Sequence, residues 1–175
     1  VNMKPEDIPM DDPAIYQMIS QGDTDGVFQL EGGGMRTFLT NMQPENFEDI
    51  IAAISLYRPG PMESIPRYIA GKRDPASVHY ETPQLAPILD VTYGCMVYQE
   101  QVMQIVRDLA GYSYGRSDLV RRAMAKKKKD VMAAERKNFV YGSEKEHVPG
   151  AVNRGVPAAV AEPIFDEMTA FASYA

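Results

Sequence analysis

Six basic residues between positions 121 and 129 are the side chains best suited to chemistry: Arg121, Arg122 and Lys126 to Lys129. They are six of the 18 Lys and Arg residues, so the rest of the chain sets 12 basic residues against 24 acidic ones. Helical spacing puts Arg122, Lys126 and Lys129 in one row. Arg121 and Lys128 form a second row beside it. This cluster predicts a polyanion or phosphate site; a solvated basic face is the alternative.

A second candidate for phosphate binding is Arg58, which begins the sequence RPGP after a helical pattern. The prolines on either side of Gly60 stop the helix and restrict the backbone, so they hold Arg58 on a stiff turn. A guanidinium on a stiff support loses little entropy when it binds a phosphate. A surface arginine that interacts with the dipole of the preceding helix explains the residues equally well.

Most other chemistries find no support in the sequence. The single cysteine, Cys95, excludes an internal disulfide and a cysteine-based zinc site. The two histidines, His79 and His147, lie too far apart to indicate a catalytic triad or a metal-ligand spacing. The acidic residues are scattered through helical patterns and show no grouping for Mg²⁺. We therefore assign no catalytic residue and no metal ligand to this chain.

The overall composition is typical of a folded protein. The 175 residues are 45% hydrophobic and 24% charged, which suffices for one ordinary domain or two small ones. The sequence contains no apolar run of about 18 residues, so no membrane span is predicted. Its first residues lack the layout of a signal peptide. Together with the single cysteine, these features favour a reducing, cytoplasmic setting without a membrane partner.

Helices must position the candidate side chains, because helical periodicity dominates the sequence. Asp12 followed by Pro13 is typical of a helix start. Ser117 is the expected N-cap of the helix that carries the arginine pair, and Asp130 that of the next helix. The clearest apolar stripes, which we expect in the core, are Phe47, Ile50, Ile51 and Ile54, and then Tyr98, Val102, Ile105 and Leu109. We predict a mainly α, irregular multi-helix domain with at most one or two short strands, including a strand-like run within residues 24–30.

Glycine and proline residues mark the expected loops. EGGG at 31–34 lacks the spacing of a phosphate-binding P-loop, so we interpret it as a tight chain reversal. The polar, proline-rich stretch 72–87 is a predicted loop and a possible soft domain boundary. Glu100 and Gln101 begin a helix, where solvation or capping is a better explanation than ligand positioning. The last helix is expected to begin near Glu162 or to kink at Pro163.

Four long motifs point to a known family: TDGVFQLEGGGMR, FEDIIAAISLYRPGPM, TYGCMVYQEQVMQIVRDLAGYSYGRSDLVRRAMAKKKK and PIFDEMTAFASYA. With these motifs in this order, the chain resembles the alpha subunits of bacterial DNA polymerase III, the C-family replicative polymerases. The resemblance covers essentially all 175 residues. The chain begins with Val1 and stops inside a helical pattern, so we expect both ends to be cut points within a longer protein.

The resemblance implies that residues 1–175 are a partial fingers region, which begins just after the palm of a DNA-directed DNA polymerase. Fingers of this family are largely helical, bind the incoming dNTP and lie near primer-template DNA during two-metal nucleotidyl transfer. The paired arginines that contact the triphosphate in the family fall on Arg121 and Arg122. Arg58 is expected near the same phosphates or the primer terminus.

The same resemblance places the metal chemistry outside the chain. The three metal-binding palm aspartates of the family would precede Val1, so Mg²⁺ is expected elsewhere and the chain alone is expected to be inactive. Lys126, Lys127 and Lys128 are expected to hold phosphate or template backbone. Other replicase subunits are expected to bind through regions beyond this chain.

The sequence also departs from the family pattern. EGGGM replaces a frequent serine pattern, and Ala125 stands where the family often has Gly or Ser. An Asn-Lys-Ser-His segment near the nucleotide lies beyond this chain in the family. The alternative function is a stand-alone helical module that binds nucleic acid through its basic face. A structural helical interaction domain is a third interpretation.

Overall fold

The computed structural model describes residues 4–126 and 129–173. It is mainly α, with 66% of residues helical, which confirms the predicted fold class. The α-helices are α1 (Pro13–Ser20), α2 (Gly33–Met42), α3 (Phe47–Leu56), α4 (Ile65–Arg73), α5 (Ala86–Leu89), α6 (Gln99–Ala110), α7 (Tyr114–Ala125), α8 (Lys129–Tyr141) and α9 (Ala158–Ala172). Short 3₁₀ turns occupy Pro5–Asp7, Pro61–Ser64, Pro75–Ser77, Pro83–Leu85, Asp90–Thr92 and Val152–Arg154. Within the described residues, β pairing is limited to an isolated antiparallel bridge between Ser143 and Val148.

The chain forms two compact units, Val1–Arg58 and Pro59–Ala175. Residues 72–87 lie inside the second unit, and the soft boundary proposed there stays a prediction. Across the two described ranges, none of the helices combines the length and apolar character that a membrane span needs.

The first unit contains α1, α2 and α3, and local sequence features explain where α1 and α2 begin. Asp12 caps α1 by accepting a hydrogen bond from the backbone N–H of Ala14 at 2.9 Å, with Pro13 at the first helical position, as predicted. Gly32 is the N-cap of α2, so the EGGG segment leads directly into a helix. A Cβ added at Gly34 would lie 1.8 Å from the hydroxyl of Tyr57, so the missing side chain lets the Tyr57 ring approach α2.

Two sequence predictions about the first unit are wrong. Residues 24–30 form successive turns instead of a strand, closed by a hydrogen bond from Thr24 Oγ1 to the Leu30 carbonyl at 2.7 Å. The stripe of α3 expected in the core is only half-buried, and Phe47 is 46% exposed. The buried face of α3 comprises Asp49, Ala52, Ala53 and Leu56. Small alanine side chains permit close packing, and Asp49 turns inward because its carboxylate accepts the backbone N–H of Glu45.

The second unit holds the larger core, in which α6 packs against α7 and α8 packs against α9. The predicted face of α6 is confirmed for Val102, Ile105 and Leu109, which are buried, whereas Tyr98 is half-buried at the N-cap. The rings of Phe139 and Phe165 join α8 to α9, with centroids 5.5 Å apart.

Gln101 confirms the capping interpretation at the head of α6. Its side-chain oxygen accepts hydrogen bonds from the backbone N–H groups of Val97 and Tyr98, at 2.8 and 2.9 Å. Its amide nitrogen donates to Thr92 Oγ1 at 2.8 Å. Glu100 is exposed, as the solvation interpretation expects.

α9 begins earlier than expected and contains Pro163 in its interior. A proline lacks the N–H that would bond the carbonyl four residues earlier, here that of Ala159. Ala159 is exposed, so water can satisfy that carbonyl. One face of α9 lies in the core, because Ile164, Met168 and Phe171 are buried.

Candidate functional site

The helix that carries the arginine pair, α7, begins one turn before the predicted start. Gly111 ends α6 in the left-handed region, at φ +77°. Ser113, instead of Ser117, is the N-cap of α7 and accepts a hydrogen bond from the backbone N–H of Arg116 at 3.3 Å. Ser117 is buried inside the helix, where its hydroxyl donates to the Tyr114 carbonyl. Both Ser113 and Ser117 carry a hydroxyl that can cap a helix. Ser117 is buried within α7, and Ser113 is the residue that caps it.

The predicted continuous basic rows do not form on one helix. α7 ends at Ala125, with exposed Lys126 as its C-cap, and α8 begins at Lys129. A single helix cannot therefore align Arg122 with Lys129. Lys127 and Lys128, predicted to hold phosphate backbone, lie outside the described residues. Lys126 stays a prediction as a phosphate contact, and its position at the C-terminus of α7 also suits the helix dipole.

Arg121 is held in place by the protein itself. Its Nε and Nη2 donate to Asp118 Oδ1 at 3.2 and 2.7 Å. Its Nη1 donates to the side-chain oxygen of Gln99, on α6, at 2.8 Å. The Arg121 side chain is 23% exposed. All three of its guanidinium nitrogens thus have a protein acceptor.

Arg122 shares the same carboxylate but faces solvent. Its Nη2 lies 2.7 Å from Asp118 Oδ2, and its side chain is 63% exposed. Asp118 therefore contacts both arginines, one through each oxygen. The hydrogen bond from Arg121 is the main cause that lowers the pKa of the Asp118 carboxyl below its usual range. The trio of charged groups carries one net positive charge at neutral pH.

An ion network that the sequence reasoning missed supports the start of α7. Arg116 pairs with Glu135, on α8, at 2.5 Å and with Glu146 at 2.7 Å. The Arg116 and Glu135 side chains are only 18% and 12% exposed. The hydroxyl of Tyr112 donates to Glu135 Oε2 at 3.0 Å. Burial, and then the negative charge of Glu135, raise the pKa of Tyr112. This network, Tyr112–Arg116–Glu135–Glu146, ties the start of α7 to α8.

Sequence spacing contained a signal for Asp118 but none for the other partners. An Asp placed three and four residues before two arginines is a known helix ion-pair spacing. Gln99 lies 22 residues before Arg121, so only the tertiary structure brings them together. Glu135 and Glu146 likewise meet Arg116 across long sequence separations.

Arg58 lies at the end of the first unit, whereas the arginine pair belongs to the second. It is exposed just after α3, and its Nε donates to the Ser55 carbonyl at 3.0 Å. It lines a cleft of about 450 Å³ together with Gln29, Met35 and Tyr57. The Arg58 N–H donates to the Leu56 carbonyl at 2.8 Å, which closes a backbone turn at the end of α3. The stiff support predicted from RPGP stays a prediction.

Among residues 4–126 and 129–173, no three His, Cys, Asp or Glu side chains converge as metal ligands would. The guanidinium groups of the described site are suited to the binding and orientation of an anion.

Comparison with known proteins decides the family. The sequence model of the family of bacterial DNA polymerase III alpha subunit finger domains matches residues 1–147. The DNA polymerase III subunit alpha of Staphylococcus aureus strain N315 is 53% identical over 132 residues, which are 75% of this chain and 12% of that protein. The chain belongs to the finger-domain family of bacterial DNA polymerase III alpha subunits. The same subunit of Staphylococcus epidermidis is 52% identical over 132 residues, again 75% of this chain and 12% of that protein.

The finger-domain family confirms the resemblance drawn from the motifs. The chain spans about 12% of the length of the curated relatives that it matches. Arg58, Arg121, Arg122 and Lys126 all lie within the matched residues 1–147, whereas α9 lies beyond them.

Proposed function

We propose that this chain is the part of a replicative DNA-directed DNA polymerase that binds the triphosphate of the incoming dNTP. Arg122 and Arg121 are the nucleotide-binding residues. The observation that carries the proposal is the arginine pair anchored on Asp118, with Arg122 largely exposed on a helix whose start is held by partly buried ion pairs. Membership in the finger-domain family supports the same assignment.

The chain's own contribution to the reaction is positioning and charge neutralisation. Guanidinium groups that are fixed before the substrate arrives stabilise the negative charge of a triphosphate without reorganisation. Mg²⁺, bound by carboxylates outside this chain, would supply the two-metal chemistry of nucleotidyl transfer. Lys126, Lys127 and Lys128 would contact phosphate or template backbone of primer-template DNA. Other replicase subunits would bind elsewhere on the polymerase, in the cytoplasm.

Arg58 is proposed to act near the same phosphates or near the primer terminus. Tyr57 also lines the cleft that Arg58 lines. Its ring stacks on the ring of Phe38, with the two centroids 6.2 Å apart. A guanidinium beside an aromatic ring can hold a phosphate while the ring contacts an apolar part of the ligand.

The test replaces Arg122 and Arg121 singly with alanine in a full-length polymerase that contains this chain. A charge-assisted contact is worth about 1.5–3 kcal/mol, so each variant should lose about 10- to 100-fold in kcat/KM for dNTP. Lys137→Ala is the matched control, because Lys137 is a cation on α8, away from the arginine pair in sequence. Single-nucleotide incorporation kinetics provide the measurement. Wild-type kinetics in both arginine variants would refute the nucleotide site.

The stand-alone nucleic-acid-binding module is less well supported by the charges. The chain carries a net charge of −6, and Asp118 neutralises part of the basic cluster. A module held by several phosphates loses duplex affinity with a log–log salt slope of about −0.9 per contact. We expect the 175-residue chain to bind duplex DNA weakly and with a shallow slope. Tight binding with a steep slope would favour the module instead.

A further inference from the structure

The two arginines of the pair are not equivalent in the structure. Arg121 donates from three nitrogens to protein acceptors and is 23% exposed. Arg122 is 63% exposed and meets the protein through Nη2. A guanidinium has five N–H groups, so Arg122 keeps most of them for a ligand while Arg121 keeps few.

Helix geometry explains why Asp118 is the residue that joins them. Consecutive residues of an α-helix point about 100° apart, so Arg121 and Arg122 leave α7 in different directions. Position 118 lies one turn earlier, three residues from one arginine and four from the other, which places it between their two directions. A short carboxylate at that position draws both side chains toward the same point, as the two 2.7 Å contacts show.

Gln99 adds the third point of support. Its side-chain oxygen accepts from Arg121 Nη1 at 2.8 Å and lies on α6, so it fixes the guanidinium plane from outside α7. An acceptor on a second helix prevents rotation about the carboxylate contact. Arg121 is thereby oriented before any ligand binds.

We infer that Asp118, assisted by Gln99, is a positioning residue that fixes Arg121 and steers Arg122 toward the substrate phosphates. The inference rests on the proposed nucleotide site and assigns unequal roles to the pair. Arg122 provides most of the direct grip on the anion. Arg121 presents its remaining N–H groups from a fixed plane, and this orientation matters most when charge develops during the reaction.

The experiment measures dNTP incorporation by the full-length polymerase with Asp118→Asn, which keeps the size of the side chain and removes its charge. Loss of orientation should lower kcat by about tenfold, since small misplacements of positioning groups cost up to about 100-fold. The apparent KM for dNTP should change by less than about threefold, because the site becomes more positive while Arg122 remains. Asp118→Glu should recover most of kcat, because a longer carboxylate still reaches residues three and four positions on.

Controls separate orientation from general damage. Glu100→Gln removes an exposed carboxylate next to Gln99 and should leave kcat unchanged. Gln99→Ala should lower kcat in the same sense as Asp118→Asn and by less. In an Arg121→Ala background, Asp118→Asn should lower kcat less than in the wild type, because the part of its effect that passes through Arg121 is then already lost.

Three results would overturn the inference: wild-type kcat in Asp118→Asn, no recovery in Asp118→Glu, or an undiminished effect in the Arg121→Ala background. If Asp118→Asn fails to fold, Gln99→Ala and Asp118→Glu still decide the question. Failure of the proposed function looks different, because Arg121→Ala and Arg122→Ala would then have wild-type dNTP kinetics. If those two variants are impaired and Asp118→Asn is not, only the positioning role is wrong.

Discussion

Replacing Glu135 with glutamine should destabilise the junction of α7 and α8. Breaking a fully buried ion pair costs about 3–5 kcal/mol, because the remaining charge is left without its partner. Here Arg116 is 18% exposed and keeps Glu146, and the new amide oxygen can still accept from Tyr112. We therefore expect a loss of about 2 kcal/mol in local stability, below the range for a fully buried pair.

Amide hydrogen exchange in α7 and α8 measures this loss directly, since it reports local opening within each unit. A loss of about 2 kcal/mol corresponds to exchange about 30 times faster. Glu162→Gln is the matched control: the Arg136–Glu162 pair is 37% and 34% exposed, and Arg136 keeps Asp166. That control should change stability by less than about 1 kcal/mol. Equal exchange in the two variants would refute the argument that burial makes the Arg116–Glu135 pair structural.

Three further predictions concern single sites. Gly150→Ala should lower the thermal stability more than Gly155→Ala. Both glycines have a positive φ, but an added Cβ at Gly150 would lie 2.2 Å from a backbone nitrogen, whereas one at Gly155 would meet nothing within 4 Å. Equal losses would contradict the steric argument. Cys95 should resist iodoacetamide at pH 8 in the folded chain and react in guanidinium, because burial raises its pKa to about 11. The pKa of the Asp118 carboxyl, followed by NMR, should lie below 3.8 in the folded chain and should rise in Arg121→Ala. The ionised Asp118 therefore stabilises the fold above pH 3.8, and this stabilisation is lost as the pH falls through the lowered pKa.

The sequence predicted helix positions well where local chemistry determines them. Asp12 and Pro13 start α1 because a side-chain oxygen and a fixed φ act within a few residues. The face of α6 is apolar over three turns, so Val102 and Leu109 could be placed in the core. α3 shows the limit of this reasoning. Its isoleucine stripe is half-buried, because packing through small alanine side chains competes with hydrophobicity.

For the candidate site, the sequence indicated which residues to consider but not how they are arranged. Charge alone singled out Arg121 and Arg122 as candidates for phosphate binding, since an acidic chain concentrates basic residues there, and their role stays a proposal. Their acceptors were not found, because Gln99 approaches only after α6 packs against α7. The end of α7 at Ala125 also separates the lysines from the arginine rows, which periodicity had joined. Long-range packing and helix termination are the two effects that spacing rules do not contain.

Asp118 also resolves an electrostatic problem that the bare sequence poses. Arg122 and Lys126, one turn apart, repel each other, and a like-charge pair at this spacing costs about 0.2–0.5 kcal/mol unless an anion lies nearby. The carboxylate of Asp118 supplies this anion from within the chain, so α7 can hold both arginine side chains in place before a ligand binds. The exposed Arg122 then offers positive charge that the carboxylate only partly neutralises. Guanidinium groups that are fixed in advance lose less entropy on binding than groups ordered by the ligand, which is why an acidic residue would be useful inside the proposed phosphate site.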